Sequence, residues 1–472
     1  MTSKILNKKI VLVFLFLWIF LISTINVYPH NLLNFNTLLD FVHTLRIWMP
    51  ILFGIIVFFL FIPKLKKKER NFINYYHYLS IFSVIFLLQL IGAFFSERIN
   101  FQTIYVLIFC FITLGMFALI EHLQLQKLYK FFLHILIFLI GLAALFFFYL
   151  FYDQLILSFK TGNLYSVFWS PDIQLFGQAP PRVTGFSRMI AIISLFLIFL
   201  IEHSIKKNIF IIIVNILLGM IIWFAQSRGT LLCYYLSILI IIFILNINDY
   251  WLRKIKKIFL YIFIPVIISI ISNYLYFFSK NYFKNKIDIR STITIDGEST
   301  IDGESTIDGE SIDEIYDYKN IRVFNNKTGT SGRFSLWKIS INDYDKIKLF
   351  GYGPQADRII INNYYVEKLN SRNPYGNNVS NGLIYTFLSG GYLAAMLFFC
   401  LYVKNLFITW TFVKIIKKSK KVDSIYKFSF ILIIFFSIRS LVENSYAIWS
   451  LDFLLMLISM ALLNHFLVKK SS

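Results

Sequence analysis

Apolar runs of roughly 17–25 residues recur along most of this chain, the length a helix needs to cross about 30 Å of hydrocarbon. A soluble chain of 472 residues would interleave such stretches with polar faces; here 58% of residues are hydrophobic and 53 are Phe. The pattern predicts spans at 10–27, 47–62, 78–95, 101–120, 131–150, 189–202, 209–225, 230–247, 258–278, 382–403, 428–442 and 450–467. The expected fold is an all-α polytopic membrane protein of about twelve transmembrane helices. Nine lie in 1–278 and three in 382–472, around one large outer (periplasmic) loop, 279–381.

The net charge of +21 would suit nucleic acid, but its placement argues otherwise. With the N-terminus inside, every inner segment is basic, as in Lys64–Arg70, Arg253–Lys257 and Lys414–Lys421. That is the positive-inside pattern plus attraction to anionic membrane lipid, so no nucleic-acid partner is expected and both termini are read as cytoplasmic. Lys4, Lys8 and Lys9 precede the first apolar run as in a signal peptide, but Val27-Tyr28-Pro29-His30 is a poor cleavage site, so this run reads as an anchor. Cys110, Cys233 and Cys400 all sit inside apolar runs and read as small buried hydrophobes rather than disulfide partners or metal ligands.

The outer loop carries 14 Lys/Arg and 14 Asp/Glu. Three copies of Thr-Ile-Asp-Gly-Glu-Ser fill Thr294–Ser311. Their evenly spaced acids suggest a calcium repeat, but the glycine-rich β-roll pattern is absent and three short copies cannot bury a face, so 294–311 reads as a flexible insertion. After Ser331-Gly332, the spacing of Phe334, Trp337, Ile341 and Tyr344 predicts an amphipathic helix ending near Gly351. Gly351-Tyr352-Gly353-Pro354 then reads as a tight turn. The pair in Asp343-Tyr344-Asp345 reads as solvated, because i and i+2 do not converge on a helix.

Cation type is segregated across the predicted membrane. The inner segments use lysine almost throughout, with Arg70 and Arg253 the exceptions. The short outer loops carry Arg46, Arg98, Arg182, Arg188 and Arg228, with Lys160 the one lysine. Arginine's planar fork binds phosphate bidentately and keeps its charge when partly desolvated. Arg439 lies within an apolar run, where an ionised side chain marks a functional site by default. These arginines could instead snorkel to headgroups or pair with acids such as Glu443. A cationic cluster at the outer surface suits a lipid-linked phosphate or diphosphate, and the nearby Trp and Tyr residues could stack on sugars or serve as an interfacial belt.

Five patches carry a resemblance. Pro181-Arg182-Val183-Thr184-Gly185-Phe186-Ser187-Arg188 is similar to an R-x-x-G signature. Gln226-Ser227-Arg228-Gly229-Thr230 is similar to an S-R-G turn between two spans. Gly332-Arg333-Phe334-Ser335-Leu336-Trp337, with Leu349-Phe350-Gly351-Tyr352-Gly353, is similar to a G-R-x-x-x-W…G-x-G segment in the large loop. Ser380-Asn381 with Gly391 is similar to an H-N-x9-G entry into the next span, and Arg439 to Glu443 fits an R-x-x-x-E stretch. In this order the chain resembles the O-antigen ligase/polymerase superfamily of bacterial envelope enzymes.

The resemblance implies a GT-C-like, metal-independent glycosyltransferase of the inner membrane, without cofactor. Its donor and acceptor would be undecaprenyl-diphosphate-linked glycans, and a separate chain-length regulator is an implied partner. Catalytic roles fall to Arg182, Arg228, Arg333, Arg439 and Glu443, and substrate contacts to Arg188, Trp337, Tyr352, Ser380 and Asn381. Preorganised cations aimed at the leaving diphosphate would supply the main catalytic stabilisation. The chain departs from the ligases in one place: they use a histidine as general base where this chain has Ser380, and none of its seven histidines lies in 279–381. Serine is no base near neutral pH, which favours a repeat-unit polymerase over a ligase to lipid A core. Glu443, Asp357 and Glu367 are alternative bases. A flippase or exporter of the same glycan is a further alternative; it would share the span count, but no internal repeat between the halves is visible.

Overall fold

The computed structural model describes residues 73–97, 183–203, 209–225, 227–245, 249–272, 333–342, 349–364, 379–418, 422–445 and 451–471, with a few isolated positions besides. Among these, all regular structure is helical. The helices are α1 (Ile73–Phe95), α2 (Val183–His203), α3 (Ile209–Phe224) and α4 (Arg228–Ile240), the last running into a π-helical turn, Ile241–Leu245. Next come α5 (Trp251–Ile258), which continues through a second π-turn, and the short loop helices α6 (Arg333–Asn342) and α7 (Ala356–Asn363). The chain closes with α8 (Gly382–Lys418), α9 (Ser424–Ser440) and α10 (Leu451–Ser471). The predicted spans at 10–27, 47–62, 101–120 and 131–150 and the hexapeptide copies lie essentially outside the described residues.

Two helices, Trp251–Ser272 and Gly382–Lys417, are long and apolar enough to cross a membrane, and shorter apolar helices accompany them. The side chains of α8 show what surrounds it. Tyr392, Met396, Phe399, Val403, Leu406, Phe407 and Trp410 are exposed and fall on one helical face, while Ala394, Phe398, Leu401, Ile408 and Phe412 are buried on the other. A helix apolar on both faces, with large side chains turned outward, is soluble in lipid and not in water.

The bundle is held by α8 against α1, α9 against α10, and α2 against α3, with α4 set between α2 and α9. Phe82 and Phe86 of α1 meet Phe453 of α10 edge to face. Three buried polar side chains tie α2, α3 and α4 together. Asn215 donates to the Ser194 carbonyl at 2.9 Å, and the Ser194 and Tyr234 hydroxyls lie 2.6 Å apart.

Three expectations change. Helix α2 begins at Val183, so Arg188 lies inside a helix rather than in an outer loop. The loop helix α6 is described only to Asn342, and its buried positions are Leu336 and Ser340; Phe334 and Ile341 of the expected apolar stripe are exposed. Leu336 joins the main core, so the neighbours that α6 packs against decide its inward face, overriding the apolar spacing.

The third change is in α8, expected as one span from residue 382 to 403. It runs to Lys418 and is broken at Gly391, whose φ of 75° and ψ of −170° are not helical. The loop Leu349–Gly353 fills the break. The Tyr352 and Gly353 amides donate to the Leu388 and Ser389 carbonyls at 2.9 and 2.8 Å, which supplies the partners a broken helix would lack. The fit needs backbone-only surfaces. A Cβ on Gly391 would collide with the Leu349 carbonyl, and one on Gly92 of α1 with the Phe350 carbonyl. One on Gly351, itself at φ 69°, would lie 2.6 Å from the Gly391 nitrogen. The expected tight turn at Gly351-Tyr352-Gly353 is thus also a plug between α1 and α8.

Candidate active site

The turn after α9, Leu441–Ser445, is the hub of the site. Leaving the last turn of α9, its residues meet several other elements. The Leu441 carbonyl accepts from Asn381 Nδ2 at 2.9 Å, and Asn444 Oδ1 accepts from the Asn381 amide at 2.7 Å. Asn381 also caps α8, its Oδ1 accepting from the Ile384 amide at 3.0 Å. The Val442 carbonyl and Glu443 carboxylate clasp Arg333 of α6 on two of its nitrogens, at 2.5 and 2.8 Å. The N-terminus of α4 completes this wall. A Cβ on Gly229 would stand 3.1 Å from Val442 and 3.6 Å from Arg333 Nη1. Arg228 is the first residue of α4, the positive end of its dipole.

Beneath the turn lies a buried charge cluster. Asp452 of α10, 1% exposed, pairs with Arg188 of α2 at 2.9 Å and with Arg439 of α9. The Ser445 hydroxyl donates to Asp452 at 2.6 Å and accepts from Arg439 at 2.6 Å. Two guanidinium groups share one carboxylate, so the cluster keeps a positive excess, and Arg188 Nε and Nη2 have no hydrogen-bond partner among the described residues.

Behind the loop, Trp337 Nε1 donates to the Val379 carbonyl at 2.6 Å, and the Val379 amide donates to buried Asp357 at 3.3 Å. Burial pushes the Asp357 carboxyl above the ordinary carboxylate range, against the opposing pull of the Val379 amide, Arg358 and Asn444. Ser380 sits at φ 48°, a left-handed conformation uncommon for serine, between this support and Asn381.

The arrangement brings together Arg333, Glu443, Asn381 and the start of α4, with Trp337 and Ser380 alongside. Arg188 and Arg439 lie below, in the buried cluster. Tyr352 is elsewhere, its backbone plugging α8. Arg182 and Glu367 lie outside the described residues, as does the side chain of Arg228. The alternative that an arginine of this set pairs with Glu443 holds for Arg333, while Arg439 pairs with Asp452. The sequence reading passed over Asp452 and Ser445. The available signal was an acid near the start of an apolar run, the same kind of anomaly that exposed Arg439.

Helices apolar on both faces, with arginines gathered at one end under a docked loop, define a membrane-integral protein with a cationic site. Residues 213–399 match the family model described as O-antigen ligase, which supports the resemblance to the O-antigen ligase/polymerase superfamily. The match supports a part in O-antigen or related polysaccharide processing. No curated protein and no solved structure matches the chain. The matched segment contains Arg228, Arg333, Trp337, Tyr352, Ser380 and Asn381. Arg188, Arg439, Glu443 and Asp452 lie outside it and join the site through the fold.

Proposed function

We propose that this chain is a repeat-unit polymerase for O-antigen or capsular polysaccharide, working at the outer face of the bacterial inner membrane with both termini cytoplasmic. Donor and acceptor are oligosaccharides carried on undecaprenyl diphosphate. The observation that carries the reading is convergence: Arg188, Arg333 and Arg439 come from three distant stretches yet gather around the 441–445 turn, which packs against the start of α4, where Arg228 is the first residue. Arg228 and Arg333, with Arg182 from the remaining motif, hold the diphosphate and take up the charge of its departure, so no metal is needed. Arg188 and Arg439 act from below as fixed positive potential. Trp337, Ser380 and Asn381 shape the acceptor side, and a separate chain-length regulator sets polymer length.

A ligase reading has one specific support, the description of the matching family model. Ser380 weighs against it, since it cannot accept a proton as the ligases' histidine does. A gene knockout complemented with Arg228→Ala or Arg333→Ala separates the readings on a gel of surface polysaccharide. Lipopolysaccharide capped at one repeat unit is the expected result. Core without any repeat would support the ligase, and repeat units trapped on the inner leaflet would support a flippase.

A further inference from the structure

We propose that Glu443 is a built-in stand-in for the substrate's phosphate: the incoming lipid diphosphate displaces it from Arg333, and the released carboxylate then takes the acceptor's proton. This rests on the polymerase reading above.

Arg333 is already held the way a phosphate would hold it, with one nitrogen on the Val442 carbonyl and the other on Glu443. Exposure separates this pair from its neighbours. Arg333 and Glu443 side chains are 24% and 16% exposed, whereas the Arg188–Asp452 and Arg439–Asp452 pairs are 7% and 1%, and 5% and 1%. A buried pair is costly to break, but one reached by water holds weakly and can exchange. A diphosphate brings more charge than one carboxylate and can bridge Arg333 to the positive end of α4 beside it.

The exchange times the chemistry. While Arg333 donates to it, the Glu443 carboxylate is engaged; it is free to accept the acceptor's proton only once the donor has taken its place on Arg333. The other acids described near the site fit the task poorly. Asp357 is 2% exposed and turned into the loop backbone, and Asp452 is locked between two arginines. In the step, the acceptor hydroxyl oxygen forms a bond to the anomeric carbon. The bond from that carbon to the diphosphate oxygen breaks, and its electron pair leaves on undecaprenyl diphosphate. The hydroxyl proton goes to Glu443, and the anomeric configuration inverts.

The test uses the full chain in detergent with inorganic pyrophosphate as the binding probe and lipid-linked repeat units for turnover. Glu443→Gln should bind pyrophosphate about fivefold more tightly, since a competing, partly exposed ion pair is gone. Its turnover should fall about 100-fold or more. Glu443→Asp, which keeps a carboxylate on a shorter arm, should bind pyrophosphate more tightly than the wild type yet retain part of the turnover; it also covers the case in which the Gln variant fails to fold. Arg333→Ala should lose pyrophosphate binding. Unchanged or weaker pyrophosphate binding in both Glu443 variants overturns the exchange, and full turnover in Glu443→Gln overturns the proton transfer. A wild type that binds pyrophosphate but makes no polymer overturns the polymerase reading and leaves the exchange standing on the binding results.

Discussion

At the residue scale, Asp452 matters most among the residues that the sequence reading passed over. It holds α2, α9 and the 441–445 turn at once through Arg188, Arg439 and Ser445. Replacing it by Ala strands two buried cations, at a cost of about 3–5 kcal/mol. The expected result is a large drop in the midpoint of thermal unfolding in detergent, with Asp452→Asn falling between; a midpoint within the wild-type error would contradict the cluster's role. Asp357 gives a pH prediction. Its carboxyl is raised by burial, so the folded chain holds this proton at a pH where the unfolded chain has released it. Stability from Asp357 is therefore present below the unfolded value, near 3.8, and is lost as pH rises through the folded one. The Tm difference between wild type and Asp357→Asn should shift against the wild type as pH rises from about 4; a difference flat in pH would remove the assignment. The arginines were legible because lysine is so common in this chain that an outer arginine stands out. Asp452 was readable in principle, but it lies at the edge of an apolar run, where an acid passes for an interfacial residue. The pairing of Glu443 with Arg333 was not readable, since the partners are 110 positions apart and only folding brings them together.

The clearest case at the element scale is α8. The sequence marked Gly391 by its spacing from Asn381 and marked Gly351 and Gly353 as a turn, but nothing local links the two stretches. What joins them is close backbone approach, which leaves no hydrophobic period to read. Gly391→Ala should undock Leu349–Gly353, because its Cβ meets a carbonyl and its φ disfavours an L side chain. The expected readout is faster proteolysis of the loop in spheroplasts, with reduced polymer. Unchanged proteolysis and full polymer length would show that the loop docks without the glycine. Helix α6 teaches a related lesson. Its existence was legible from the apolar spacing, but its buried face was not, because Leu336 enters the main core while Phe334 faces out.

For the whole molecule, the apolar runs made the class legible and the lysines gave an orientation. Helix boundaries at 209–224 and 424–440 fall within a few residues of the spans expected there. The orientation predicts that green fluorescent protein fused after Ser472 fluoresces and that alkaline phosphatase inserted near residue 320 is active. The opposite pattern would invert the molecule and put the site on the wrong leaflet. Deleting Thr294–Ser311 should leave polymer length unchanged, as expected of an idle insertion; shortened polymer would assign that segment a role.

The plug in α8 also bears on how the protein is made. Residues 349–353 and α1 are both synthesised before Gly391, yet the Leu388 and Ser389 carbonyls find the Tyr352 and Gly353 amides only once all three stretches have met. A nascent chain that ends short of α8 has nowhere to seat the 349–353 loop. The loop therefore docks late, when the first described helix and the eighth come together and hold it between them.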